Sequence, residues 1–269
     1  MKKLFSILLG ITLVLSFFVI PGNIAHAEKI TTVNWGKVKL TSSHVGKVTL
    51  SKDVYIYRVD KNKSQLLKVS TAKAGSEYAV YSKKDTKYGV LYAIGSGKYI
   101  KHHSSISYKT PHKSLTEILD KDRVWLRNPI DIENYAGNPV NIKNLTEAII
   151  LSKKTDTLDK SLYDVKIKVG KYYYTMKYVD KDNQSAYYTA TNPFKKYKFS
   201  DSMWKLIKNE EILIGMTETQ TLLSWGYPTE INSYSDKYGS FDQWVYGDPL
   251  YDSSYLYFEN GKLVSWQEF

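Results

Sequence analysis

The chain has 269 residues, 38 Lys+Arg against 27 Asp+Glu, a formal net charge of +11, and no Cys. The missing Cys excludes disulfides, thiol nucleophiles and thiolate metal sites, and the length suits two or three small domains. Tyr outnumbers Phe by 24 to 8, and such a composition favours strands with wet, aromatic surfaces.

Residues 1–27 read as a secretion signal. Lys2-Lys3 is a basic start, Leu4 to Ile20 is apolar, and Ala25-His26-Ala27 is an A-x-A cleavage pattern. The apolar run is short for a membrane span and ends in Pro21-Gly22. The expected mature chain starts at Glu28 and carries no transmembrane anchor.

Residues 28–113 form the first unit. Val38, Gly46 to Leu50, Val54 to Tyr57, Leu66 to Val69, Tyr78 to Tyr81, Val90 to Ile94 and Tyr99-Ile100 read as short strands, with a polar turn at Asp60 to Ser64. Many short, evenly spaced strands indicate a small barrel. Trp35-Gly36, Gly46-Lys47-Val48, Gly75-Ser76-Glu77-Tyr78, Tyr92 to Ile100 and the closing Tyr108-Lys109-Thr110-Pro111 resemble the bacterial SH3-like wall-associated domains of secreted Gram-positive proteins. The resemblance implies ligand or wall binding and brings no catalytic residue. Lys98 and Lys101 are the candidate contacts to an anionic polymer.

Thr110-Pro111 to Ser114 reads as a linker. Ser114 to Glu117 fits the capping-box pattern and opens one helical turn through Leu119. The second strand-rich unit spans residues 114–199. Its segment Glu147 to Lys154 aligns with Glu77 to Lys84, and Gly170-Lys171-Tyr172 aligns with Gly97-Lys98-Tyr99. Two readings stay open: a diverged SH3-like repeat, or a chance likeness in a Lys- and Tyr-rich chain. Ala136-Gly137-Asn138-Pro139 reads as a hairpin turn, and Lys166 to Val169 should pair with Tyr172 to Val179. Asn192-Pro193 marks the next boundary.

Residues 200–269 carry the clearest local signals. Ser200-Asp201 starts a helix to about Asn209, and Thr217 with Gln220 forms a capping box for a second helix, closed by Gly226 and Pro228. Three strands are expected to follow. Asn260-Gly261 is a strong type I′ hairpin signal. It pairs Glu259 with Lys262, Phe258 with Leu263 and Leu256 with Ser265. That register places Tyr255, Tyr257, Val264 and Trp266 together on a face the helices leave open. Gly215-Met216-Thr217, Gln220, Trp225-Gly226, Pro228, Gln243-Trp244-Val245-Tyr246 and Tyr257 to Leu263 resemble the BamE (SmpA/OmlA-like) family, whose fold is similar to one repeat of β-lactamase inhibitor protein. The resemblance implies a two-helix, three-stranded antiparallel unit with an adaptor or binding role. Outer-membrane members carry a lipid-attached Cys that this chain lacks, so their assembly role does not carry over. Tyr255, Tyr257, Trp266 and Trp244 are the candidate docking residues.

Charge is unevenly spread. Residues 28–113 carry 17 Lys+Arg and 5 Asp+Glu, residues 114–199 carry 15 and 11, and residues 200–269 carry 4 and 11. A basic end should collect at polyanions and an acidic end should be repelled by them.

No catalytic pattern stands out. His102-His103 point to opposite faces of a strand, so they cannot share an ion. His44 and His112 have no carboxylate neighbour in sequence. Ser70 to Lys73 and Ser202 to Lys205 match S-x-x-K without its companion motifs. Asp180 to Asn183 begins like a calcium loop, but Ser185 and Thr191 stand where Gly and Glu belong. Glu210-Glu211, Asp236 with Asp242, and Asp248 with Asp252 read as solvated charge. The expected fold is mainly β, with small SH3-like barrels and a C-terminal α+β domain. The expected protein is secreted, wall-associated and non-enzymatic, with no cofactor or metal. Its expected partners are an anionic wall polymer or peptidoglycan at the basic end and a protein at the acidic end, with no nucleic acid. The alternatives are a secreted inhibitor of a hydrolase and a wall hydrolase of unrecognised type.

Overall fold

The computed structural model describes residues 27–60, 65–248 and 252–268, so all but the last residue of the expected signal at 1–27 and most of the turn at 60–64 lie outside the described residues. Strand predominates, at 51% against 11% helix. No helix among the described residues is long and apolar enough to cross a membrane.

The first unit opens with a hairpin, β1 (Val33–Trp35) and β2 (Val38–Leu40). Then follow β3 (Gly46–Leu50), β4 (Val54–Asp60), β5 (Gln65–Ala72), β6 (Glu77–Val80), β7 (Ser82–Thr86), β8 (Gly89–Gly95), β9 (Lys98–Lys101) and β10 (Ile106–Lys109). They make a three-stranded sheet, β10-β3-β6, and a five-stranded sheet, β5-β4-β9-β8-β7. The chain passes from one sheet to the other at Tyr81, whose N–H donates to Ala93 O. One core of Val48, Leu50, Ile56, Ala72, Val80, Tyr92, Ile100 and Ile106 serves both sheets. Gly46 must be glycine, because a Cβ there would meet the Tyr108 ring at 2.5 Å and Lys109 O at 2.7 Å.

A short helix, α1 (Lys113–Thr116), follows. The expected cap at Ser114 is corrected: the His112 ring accepts from the Ser114 N–H and caps the turn. Glu117 is drawn away because its carboxylate takes Lys168 Nζ at 2.9 Å and the Tyr173 hydroxyl.

The second unit contains β11 (Asp122–Leu126), β12 (Ile132–Asn134), β13 (Glu147–Thr155), β14 (Leu162–Val169), β15 (Tyr172–Asp180) and β16 (Tyr188–Thr189), ordered β12-β15-β14-β13-β11-β16. Its core is Val124, Leu126, Ile132, Ile142, Ala148, Ile150, Val165, Ile167, Met176 and Val179. The expected turn at 136–139 is corrected to 134–137, closed by Gly137 N–H to Asn134 O, with Pro139 already bridged to Glu133; the 166–179 hairpin pairs as β14 with β15.

The two units run through one strand order. With β6 and β7 taken as a single run, the first reads β10-β3-β6/β7-β8-β9-β4, with β5 added at the edge. The second reads β16-β11-β13-β14-β15-β12. The registers agree: Lys47 opposes Ala79 as Arg123 opposes Ile149, and Ile56 opposes Ile100 as Ile132 opposes Met176. The sheet change at Tyr81 corresponds to the bulge at Leu151. A cation–carboxylate pair also recurs: Lys47 Nζ lies 2.8 Å from Glu77, and Arg123 Nε lies 3.2 Å from Glu147.

Residues Glu28–Ile30 join the second unit. Lys29 bridges to Asp122, and Ile30 exchanges backbone hydrogen bonds with Lys121 and Asp120.

The C-terminal unit begins with α2 (Pro193–Lys196), capped by Asn192, and α3 (Asp201–Lys208), capped by Ser200. α4 (Glu218–Trp225) carries the reciprocal Thr217–Gln220 capping box and ends at Gly226, with φ of 81°. A four-stranded sheet follows in sequence order: β17 (Glu230–Asp236), β18 (Gly239–Asp248), β19 (Asp252–Glu259) and β20 (Lys262–Glu268). The expected three strands are therefore corrected to four. Every residue of β17 is exposed, so it lacks the apolar alternation that marks a half-buried strand. The Asn260-Gly261 turn has φ of 49° and 73°, as a type I′ turn requires.

Asn144 locks the second unit to both long helices. Its side chain is buried, and Nδ2 donates to Leu223 O at 2.7 Å and Ile207 O at 3.0 Å. Its Oδ1 accepts from Leu145 N at 2.9 Å and Asn128 N at 3.0 Å. Leu145 beside it enters the cluster formed by Ile207 and Leu223.

Replacing Asn144 by Ala leaves two N–H groups and two carbonyls of that junction without this partner. The expected loss is about 3 kcal/mol in urea denaturation; a loss below about 0.5 kcal/mol would contradict the lock. Glu77 gives a pH-dependent counterpart. The Lys47 hydrogen bond, with those from Lys37 N–H and Thr49, holds its carboxyl below the ordinary 4.5. A carboxyl lowered by folding contributes stability above its unfolded value, and that contribution is lost as pH falls through the folded value. Glu77→Gln should therefore flatten the loss of stability below pH 4.5, read as unfolding midpoint against pH.

Candidate functional site

The C-terminal sheet divides the predicted docking residues. Opposed residues in antiparallel strands share a face. Gln243, Tyr257 and Ser265 form one row, and Val245, Tyr255 and Gln267 the next, both on the side away from the Trp244, Leu256 and Phe258 core. The Tyr257 hydroxyl meets Gln243 in its own row and Gln267 in the next, each at 3.4 Å. Phe241 and Tyr234 extend the outer face, with rings 6.4 Å apart.

Trp266 opposes Leu256, not the outer tyrosines, and the expected Leu256–Ser265 pair is corrected to Leu256–Trp266. The cause is a bulge that leaves Val264 unpaired. Leu263 is bonded on its other edge, donating to Met216 O and accepting from Gly215 N, each at 2.8 Å. Trp266 thus lies on the helix side of the sheet, at its margin, 38% exposed. Trp244 is a core residue, 5% exposed, packed against Phe258 with ring centroids 4.6 Å apart.

Lys98 and Lys101 both lie on β9 but three residues apart, so they point to opposite faces and do not form one contact. The histidines serve local structure. His102 Nδ1 meets the Tyr92 hydroxyl at 3.0 Å, His103 Nδ1 meets Ser105 Oγ at 2.9 Å, and the His44 ring packs edge-on against Tyr81. Asp180 folds back on its own loop, accepting from Asp182 and Asn183 N–H. Among the described residues no group of three or more His, Asp or Glu has a metal-binding arrangement.

One carboxylate pair forms that sequence spacing did not suggest. Glu218, in the first turn of α4, hydrogen-bonds Asp242, and burial together with that neighbour raises its pKa. Glycoside hydrolysis needs two carboxyls about 5–9 Å apart across a sugar, so carboxyls in direct contact do not supply it.

Two concavities are lined by cations and aromatics. A hollow of about 540 Å³ at the junction holds Lys143, Lys205, Lys208, Phe194 and Trp204. Lys205 and Lys208 sit in the last turn of α3, where they complement its carbonyl end. A trough of about 780 Å³ crosses the second unit, with Tyr135, Tyr172, Tyr173 and Tyr174 beside Lys166 and Lys171. Sequence reading missed it, although the run Lys171-Tyr172-Tyr173-Tyr174 was in plain view.

No family model, curated protein or solved structure matches the chain.

The division of the sheet gives a direct contrast. Trp244→Ala should cost about 3–5 kcal/mol of stability, as core aromatic truncations do. Tyr257→Ala should stay within about 1 kcal/mol. Urea midpoints of the two variants check this, and equal losses would contradict the assignment of faces.

Proposed function

We propose that this is a secreted, non-enzymatic protein of the cell envelope. Its basic first unit lies on an anionic wall polymer or peptidoglycan, and its acidic C-terminal unit contacts a protein. The reading combines the SH3-like and BamE-like sequence resemblances with the charge division along the chain. The observation that carries it is that the positive excess stays with its unit. The pairs Lys47–Glu77 and Lys73–Asp53 close inside the first unit, and Lys168–Glu117 and Lys177–Asp164 inside the second. Such pairs leave a unit's net charge unchanged, and residues 28–113 hold 17 Lys+Arg against 5 Asp+Glu in all, of which Glu28 reaches another unit, at Arg123. The absence of cofactor motifs and the local duties of the histidines support a binding role over chemistry.

A second reading, a secreted inhibitor of a hydrolase, draws on the outer sheet face. Tyr255 and Tyr257 face away from the core, and Tyr234 and Phe241 are exposed beside them. Rigid aromatics with polar tips are common interface anchors. A stable complex with a wall or β-lactam hydrolase, lost on Tyr257→Ala, would favour it.

The chain beginning at Glu28 should pellet with purified Gram-positive walls at about 0.15 M salt and be released near 1 M, where the screening length falls from about 8 Å to about 3 Å. Retention that ignores salt, or no retention, would overturn the electrostatic reading.

A further inference from the structure

The trough on the second unit is built differently from its counterpart on the first, and the difference leaves an open aromatic surface. Asn134, Tyr174, Ile167 and Ile150 form one cross-strand row across β12, β15, β14 and β13. Leu151, the bulged residue of β13, joins the lining. In the first unit the corresponding position is Tyr81. Its ring approaches the position of a Cβ on Gly95 to 3.1 Å and packs against His44 at 4.4 Å, closing over that hairpin. Leucine is shorter, and the β14–β15 hairpin beside it carries Tyr172 and Tyr174 on the same face, beyond Ile167.

Tyr174 packs against the core of its unit, whereas the fold does not account for Tyr135 and Tyr172. Tyr135 is fully exposed and Tyr172 is 56% exposed, both at the rim. Lys171 Nζ lies 5.1 Å from the centre of the Tyr172 ring, so charge and aromatic surface are presented together. Lys166 opposes Thr175, and both point to the other face of the hairpin, as does Tyr173, whose hydroxyl goes to Glu117. Among the described residues no Asp or Glu lines the trough, while Asn134 offers a polar group.

We propose that this trough binds an anionic glycan, a sugar polymer bearing carboxylate or phosphate groups. Its rings lie on Tyr172 beside Tyr174, its charges meet Lys171, and its hydroxyls meet Asn134. A neutral apolar ligand would leave Lys171 without a role. An acidic peptide would not use a row of flat tyrosine faces as a sugar chain does. The inference deepens the wall-binding reading and rests on it, but moves the specific contact from the first unit to the second.

The test uses the chain from Glu28 and soluble glycan strands released from purified peptidoglycan, whose muramic acid units carry carboxylates. Binding is followed by calorimetry, and wall pelleting is run in parallel. Tyr172→Ala should weaken glycan binding about tenfold and Lys171→Ala about threefold or more, each at an unchanged melting temperature. Tyr172→Phe, which keeps the ring, should bind within about twofold of wild type. Wild type pelleting with walls while the trough variants bind glycan as tightly as wild type would overturn the trough and leave the wall reading standing. Failure of the wild type to pellet would overturn both. Neutral chitin oligosaccharides bound as tightly as the anionic strands would overturn the role of Lys171, and single-stranded DNA bound more tightly at Tyr172 would overturn the glycan.

Discussion

One buried amide joins the parts of this molecule. Asn144 spends both its N–H groups on carbonyls at the ends of two separate helices and both oxygen lone pairs on backbone N–H groups of its own unit. A polar side chain this deeply buried is tolerable only when fully bonded, so the arrangement is demanding in geometry. Asn128 reinforces it, donating to Ser224 O at 2.9 Å. The backbone shows the same demand: Leu145 and Asn128 both hold positive φ, of 56° and 39°. Left-handed backbone costs a leucine roughly 1–2 kcal/mol. Burial of the Leu145 side chain between Ile207 and Leu223 offsets that cost.

The lock matters because each unit otherwise closes its own core. Separate cores joined by a linker would leave their relative position to the linker. Here the second unit's loop is wedged into α3 and α4, while Lys168 holds Glu117 and Ser114 O of the α1 segment from the other side. The Lys168 head group is buried and therefore requires that partner. The second unit, which has the smallest net charge of the three, makes the Asn144 contacts to α3 and α4 and also takes up Glu28–Ile30 along Asp120–Arg123.

Local signals were legible and long-range ones were not. The Thr217–Gln220 box, the Ser200 cap and the Asn260-Gly261 turn need only neighbours in sequence, and all of them formed. The register of β20 was misread because Leu263 is pinned by residues 215 and 216 on its far edge, a constraint absent from the hairpin itself. β17 escaped because a strand exposed on both faces carries no period-two pattern. Asn144 resembled any other polar loop residue, since its carbonyl partners are 63 and 79 positions away. Of the candidate contacts, Tyr255 and Tyr257 face outward, whereas Trp244 is consumed by the core. The alignment of 77–84 with 147–154 marked the position, Tyr81 against Leu151, at which the two strand-rich units part.

That parting shows how one strand order can carry two surfaces. Where Tyr81 folds over Gly95, the first unit presents mainly charge, which attracts any polyanion at long range and is weakened by salt. Where Leu151 leaves room, the second unit presents Tyr172 beside Lys171, contacts that act only at short range. On the reading proposed above, surfaces of both kinds on one chain would work in series. Once diffuse charge had brought a polymer close, binding at the trough would be intramolecular, so its effective concentration would depend on spacing and not on bulk dilution. The acidic unit, held to the second by Asn144, would add repulsion to the same encounter. A polyanion approaching from that side would meet like charge first, which would leave the outer C-terminal sheet face uncovered.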